Sequence, residues 1–69
     1  MVKPIKYRDA AKVLRARGWR HDSTRGSHEK WKHPSNPSPI ILPPHPEISP
    51  GVIRSIARTL GSQAPKEWR

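Results

Sequence analysis

Between Tyr7 and Arg17 the apolar positions Tyr7, Ala10, Ala11 and Leu14 recur at i, i+3, i+4 and i+7, with Val13 beside them. That spacing predicts a helix with one apolar stripe, and it sets Arg8, Lys12 and Arg15 on the opposite face. Gly18 follows as a C-terminal cap. A second stripe of Ile53, Ile56, Ala57 and Leu60 predicts another helix, with Arg54 and Arg58 one turn apart on a different face. Ser49 and Pro50 open it, a side-chain cap followed by a proline whose missing N–H would have no helical partner anyway, and Gly61 closes it.

The stretch between the two stripes has the other periodicity. Trp19 to Thr24 and His28 to His33 flank Arg25-Gly26-Ser27, a short glycine-containing connection that reads as a hairpin, although Trp19 is the one strongly apolar residue of the first run. Pro34-Ser35-Asn36-Pro37 predicts a turn, and Pro39 to Leu42 a third strand with its proline at the start or the edge. Pro43-Pro44-His45-Pro46 predicts a stiff extended connection. The order is therefore α-β-β-β-α, an α+β fold. Both helical stripes cover one face of a three-stranded antiparallel sheet, and the other face meets water. Trp19 and Trp31 are expected beneath the helices, with Leu14, Ile53, Ile56 and Leu60. Residues 1–61 form the one expected domain, and 62–69 a C-terminal tail from which Trp68 could dock.

A chain of 69 residues buries only about 60% of the surface that its unfolded form exposes, and without cysteines no disulfide can supplement so thin a core. Fourteen Lys and Arg against five Asp and Glu give a net charge of +9. The excess is uneven, with ten basic and three acidic residues in the first 33 positions. Such a surface attracts polyanions, either nucleic acid or an acidic protein. The longest aliphatic run, Ile40-Ile41-Leu42, falls far short of the ~20 apolar residues of a spanning helix. No segment reads as a signal peptide, so the chain is expected in the cytoplasm, away from membranes.

Candidate chemistry concentrates in the second strand. With Trp31 turned to the core, alternation sends His28, Lys30 and Lys32 to the solvent face together. An imidazole ordinarily titrates near pH ~6.5, and between cations it is suited to moving a proton while a phosphodiester is held. Metal-free RNA cleavage needs a base for the 2′-hydroxyl, an acid for the leaving 5′-oxygen and cations at the phosphate. His28 is the candidate for proton transfer, and Arg25, Lys30 and Lys32 for phosphate binding. Ser27 could donate a hydrogen bond or cap the turn, and His45, held between prolines, is a second candidate at the sheet edge. Arg8, Lys12, Arg15, Arg54 and Arg58 could extend the phosphate footprint. His33 falls on the face opposite His28, and His21 is expected half-buried on the Trp19 face. The histidine gaps of seven, five and twelve match no familiar ligand spacing, so neither a metal site nor a cofactor is expected.

Lys6-Tyr7-Arg8, Leu14 ahead of Gly18-Trp19, Gly26-Ser27-His28 with Trp31 and His33-Pro34, Pro44-His45, and Ser49-Pro50-Gly51-Val52-Ile53-Arg54-Ser55-Ile56 occur in that order. Together they resemble HicA-type mRNA interferase toxins over about residues 6 to 61. The resemblance implies a double-stranded-RNA-binding-like fold, cleavage of messenger RNA without the ribosome, silencing by a HicB-type antitoxin, and a catalytic histidine at His28. Two features depart from the family: Arg20-His21-Asp22-Ser23 is less apolar than its usual first strand, and residues 62–69 exceed its usual ending. The expectation is a small metal-independent endoribonuclease, the toxin of a type II toxin–antitoxin pair, acting on mRNA and not binding DNA on its own. The alternatives are a non-catalytic RNA-binding module using the same basic sheet face, and an interaction module whose cationic face docks an acidic protein.

Overall fold

The computed structural model describes residues 3–69, so the first two positions of the expected domain lie outside the described residues. Helix α1 spans Tyr7–Ala16 and buries Ala10, Ala11 and Leu14, three of the four stripe positions. It ends in a Schellman motif: Trp19 N–H donates to Leu14 O at 2.9 Å and Gly18 N–H to Arg15 O at 3.0 Å. Gly18 supplies the positive φ of 87° that this closure requires. Trp19 therefore acts as the apolar partner of Leu14 in the cap, ahead of the strand in which the sequence placed it.

Three strands follow, Arg20–Arg25 (β2), His28–His33 (β3) and Asn36–Leu42 (β4), in the order β2-β3-β4 and antiparallel throughout. The hairpin closes with two residues, Gly26 and Ser27, between the paired Arg25 and His28, and Gly26 takes the positive φ of a primed turn. The turn expected over residues 34–37 is tighter than predicted, because Asn36 already pairs with His33. Pro37 and Pro39 are accommodated because β4 is an edge strand. Helix α2, Pro50–Leu60, starts under the Ser49 cap and buries Ile53, Ile56, Ala57 and Leu60 as its stripe predicts.

The core is a single cluster in which Trp31, Ile40 and Leu42 from the sheet meet Leu14 of α1 and Ile53 and Ile56 of α2. The fold is thus α+β, with both helices over one face of a three-stranded antiparallel sheet.

Two elements go beyond the expected order. Ile5–Lys6 (β1) pairs antiparallel with Glu47–Ile48 (β5), joining the entrance of α1 to the entrance of α2 and burying Ile48. Strands of two residues show no periodicity, which is why the sequence did not reveal them. Residues 62–69, read as a tail, fold back as part of two 3-10 turns, Gly61–Gln63 and Lys66–Trp68. Ala64 and Trp68 join the core cluster, and Arg17 Nε donates to Gln63 O at 2.8 Å. One further correction concerns His21. It lies on the inward face opposite Trp31, yet it is exposed, because β2 overhangs the core as an edge strand whose six residues are all exposed. Among the described residues no helix is long and apolar enough to cross a membrane.

Candidate functional site

The open face of the sheet is read from its cross-strand pairs, since directly opposed residues share a face. Arg25 faces His28, Ser23 faces Lys30, Lys30 also faces Ile41, and Arg20 faces Lys32. The inward pairs lie between them: Trp31 with His21 and Ile40, and Glu29 with Thr24 and Leu42. His28, Lys30 and Lys32 thus occupy the face turned away from Trp31.

A bulge in β2 decides which residues join them. Strict alternation from Trp19 would send Ser23 and Arg25 inward together with His21. The register shifts between His21 and Ser23, and the extra residue, Asp22, transfers Ser23 and Arg25 to the face of His28. A shallow concavity of about 330 Å³ results, lined by Ser23, Arg25, His28, Lys30 and Ile41. A second concavity, of about 370 Å³, adjoins it through Lys30 and is lined also by Lys32, His33, Asn36, Pro37 and Pro39.

The sequence candidates therefore separate into groups. Arg25, His28 and Lys30 are brought together around one hollow. Lys32 lies in the neighbouring hollow and forms an ion pair with Asp22 at 3.5 Å, so part of its charge is already answered. Ser27 is exposed in the hairpin turn outside the lining of either hollow. His45 is exposed on the connection leading to β5, where the neighbouring Pro46 O accepts from Tyr7 N–H at 3.0 Å, and it lines neither hollow. His33 is anchored by structural contacts, its ring packing on Trp19 with centroids 5.3 Å apart and its Nδ1 accepting from Ser35 N–H at 2.9 Å, and it borders the second hollow but not that of His28. Among the basic residues of the wider footprint, Arg15 sits over the Trp31 ring at 5.4 Å, while Arg54 and Arg58 border a cleft on the helical layer. Among the described residues no three His, Asp or Glu side chains gather as metal ligands would.

Two residues of the hollow had no signal in the sequence. Ser23 depends on the bulge, which composition does not announce. Ile41 sits within an aliphatic run whose other members, Ile40 and Leu42, are buried, and at 43% exposure it is the one large apolar side chain among the described residues that faces water. Alternation along a half-covered strand accounts for it once the register is known.

Electrostatically the face is one-sided. The one salt bridge among the described residues is that of Lys32 with Asp22, and Glu29, next to His28 in sequence, turns to the other face, where it accepts from the Tyr7 hydroxyl. Arg25 and Lys30 therefore present unpaired charge beside the His28 imidazole.

Comparison with family models gives a match over residues 7–62, to the family described as the HicA toxin of bacterial toxin–antitoxin systems. The chain belongs to the HicA toxin family. Comparisons with curated proteins and with solved structures found no match. The HicA match runs from the first residue of α1 to just past the end of α2, so it contains the bulged hairpin, His28 and the whole open face. Membership makes the chain a toxin of a toxin–antitoxin system, with an antitoxin as its partner.

Proposed function

We propose that this toxin is a metal-independent endoribonuclease, an mRNA interferase whose proton-transfer residue is His28. The observation that supports it best is the convergence of Arg25, His28 and Lys30 around one solvent-open hollow with no carboxylate engaging them. The fold contributes a rigid strand pair that fixes the spacing of imidazole and cations.

In the reaction the 2′-hydroxyl oxygen attacks the adjacent phosphorus and the bond from phosphorus to the 5′-oxygen breaks. The products are a 2′,3′-cyclic phosphate and a free 5′-hydroxyl. The His28 imidazole takes the proton of the attacking hydroxyl, or as imidazolium gives one to the leaving oxygen. Arg25 and Lys30 hold the non-bridging oxygens and stabilise the charge that grows on them, an effect strengthened where water is partly displaced. Ser23 can donate a hydrogen bond to the same phosphate, and Ile41 offers an apolar surface to a base. Ser27 and His45, outside the hollow, remain candidates for contacts along a longer RNA. An antitoxin of the HicB type would silence such a site by covering His28 with an acidic surface, and the protein would act in the cytoplasm, where messenger RNA is exposed to it.

Incubating the wild-type protein and His28→Ala with messenger RNA in EDTA tests this reading. Cleavage by the wild type alone, leaving cyclic phosphate ends, is the expected result. Binding without cleavage by both proteins would instead establish the alternative, a non-catalytic RNA-binding module on the same face.

A further inference from the structure

The helical layer carries a cleft on the side of the sheet away from His28. It has a volume of about 380 Å³ and lies between the C-terminal half of α2 and the last 3-10 turn. Ala57 and the edge of Trp68 form its apolar floor, and Arg54, Arg58 and Arg69 stand around it. Gly61, at a φ of 60°, turns the chain at its mouth, and a Cβ there would meet no atom within 4 Å, so the opening is unobstructed.

Three guanidiniums around an apolar floor are unlike an ordinary solvated helix face, where acids are interspersed. None of the three has a carboxylate within ion-pairing distance, because the one salt bridge among the described residues is elsewhere. Glu67 belongs to the same turn, is exposed, and pairs with none of them. Arg69 is also held in place, with its Nη2 donating to Ala64 O at 3.0 Å. A guanidinium has five N–H donors, so most of the fork at Arg69 remains available.

We propose that this cleft docks an acidic segment of a partner protein, which inserts one apolar side chain over Ala57 and Trp68 and sets carboxylates against Arg54, Arg58 and Arg69. Carboxylates match the guanidinium fork in two-point geometry, which gives such a contact both strength and orientation. An aliphatic side chain suits the floor. Guanidiniums also bind base edges and phosphates, so RNA is the competing occupant that the experiment must separate. A second copy of this chain does not fit. Of its five acidic residues, Asp22 is paired with Lys32 and Glu29 with Tyr7, and the exposed Asp9, Glu47 and Glu67 lie on three separate elements, so no segment of it sets two carboxylates side by side. The site uses neither His28 nor the sheet face, so it stands or falls separately from RNA cleavage.

The full chain, labelled with nitrogen-15, can be titrated with the peptide acetyl-Glu-Leu-Glu-Glu-amide and, in parallel, with a single-stranded 2′-O-methyl RNA oligomer that cannot be cut. The expected result is saturable peptide-induced shifts at the amides of Ala57, Gly61 and Ser62 and at the Trp68 indole, with His28 and Lys30 unmoved. Arg54→Glu and Arg58→Glu, at exposed positions where the fold is undisturbed, are each expected to weaken the peptide by about tenfold or more. Replacing the peptide leucine by serine is expected to weaken it as well. Absence of peptide binding, shifts confined to the sheet face, or affinity unchanged by the charge reversals would each overturn the proposal. Shifts in the cleft with the RNA oligomer alone would assign it to nucleic acid instead.

Discussion

The hydroxyl of Tyr7 donates its hydrogen bond to the Glu29 carboxylate, tying the first turn of α1 to the strand whose opposite face presents His28. Burial first, then the hydrogen bond to Glu29 and its charge, together raise the Tyr7 pKa from 10.0 to about 12 against an opposing effect of Arg15. A tyrosine with a raised native pKa favours the folded state while it stays protonated. Its contribution is complete below pH 10 and is lost as pH rises from 10 to about 12. Tyr7→Phe is expected to lower stability by about 1–2 kcal/mol near neutral pH, through loss of a bond to a charged group. The gap between variant and wild type should then close across that alkaline window, a trend that denaturant unfolding at a series of pH values measures directly.

Salt dependence separates the cations of the open face. Each phosphate contact on a single strand contributes a slope of about −0.7 to the dependence of log affinity on log salt. Lys30→Ala and Arg25→Ala are each expected to make the slope shallower by about that amount. Lys32→Ala is expected to change it less, because Lys32 already pairs with Asp22. Asp22→Asn, which frees Lys32, is expected to tighten RNA binding at low salt, and fluorescence anisotropy on an uncleavable oligomer reads all four variants.

Trp68 is 2% exposed and belongs to the core cluster, although it is the penultimate residue of the sequence. Replacing a buried tryptophan by alanine costs about 3–5 kcal/mol, a large share of what a domain this small possesses. Trp68→Ala is therefore expected to shift the urea midpoint sharply downward. A variant that unfolds at the wild-type midpoint would show that the last turn is undocked in solution.

Gly18 meets two constraints at once. Its φ of 87° disfavours any side chain, and a Cβ there would lie 3.0 Å from Nε2 of His33, the ring packed on Trp19. Gly18→Ala is expected to destabilise the fold by about 1–2 kcal/mol from the backbone alone. Adding His33→Ala removes the steric contact but leaves that backbone cost, so the double variant is expected to remain less stable than the wild type in thermal melts.

The parts of the fold that the sequence made legible are those with a sustained period. Both helical stripes, their glycine stops and the Ser49-Pro50 start correspond to what is observed, because each rests on several residues spaced alike. The outward placement of His28 and Lys30 was legible for the same reason, once Trp31 was assigned to the core. Arg25 is different. Its position beside His28 depends on one extra residue in β2, and nothing in Arg20-His21-Asp22-Ser23 distinguishes a bulged strand from a regular one. Ile41 was hidden by the two buried residues that flank it, and the β1–β5 pair by its length. Trp68 was isolated in sequence, and only the return of the chain through Gly61 brings it beneath α2.

The two borders of the sheet are chemically unlike. Along β4, Pro37 and Pro39 can donate to no neighbour on either side, so a strand arriving there meets a ladder with two rungs missing. Along β2 every residue from Arg20 to Arg25 keeps its amide, and the side chains at both ends are cationic. A second copy approaching that border antiparallel would bring arginine against arginine, whereas a strand of opposite charge would meet no such repulsion. The sheet is thus closed to extension on one side and, on the other, open chiefly to chains unlike itself.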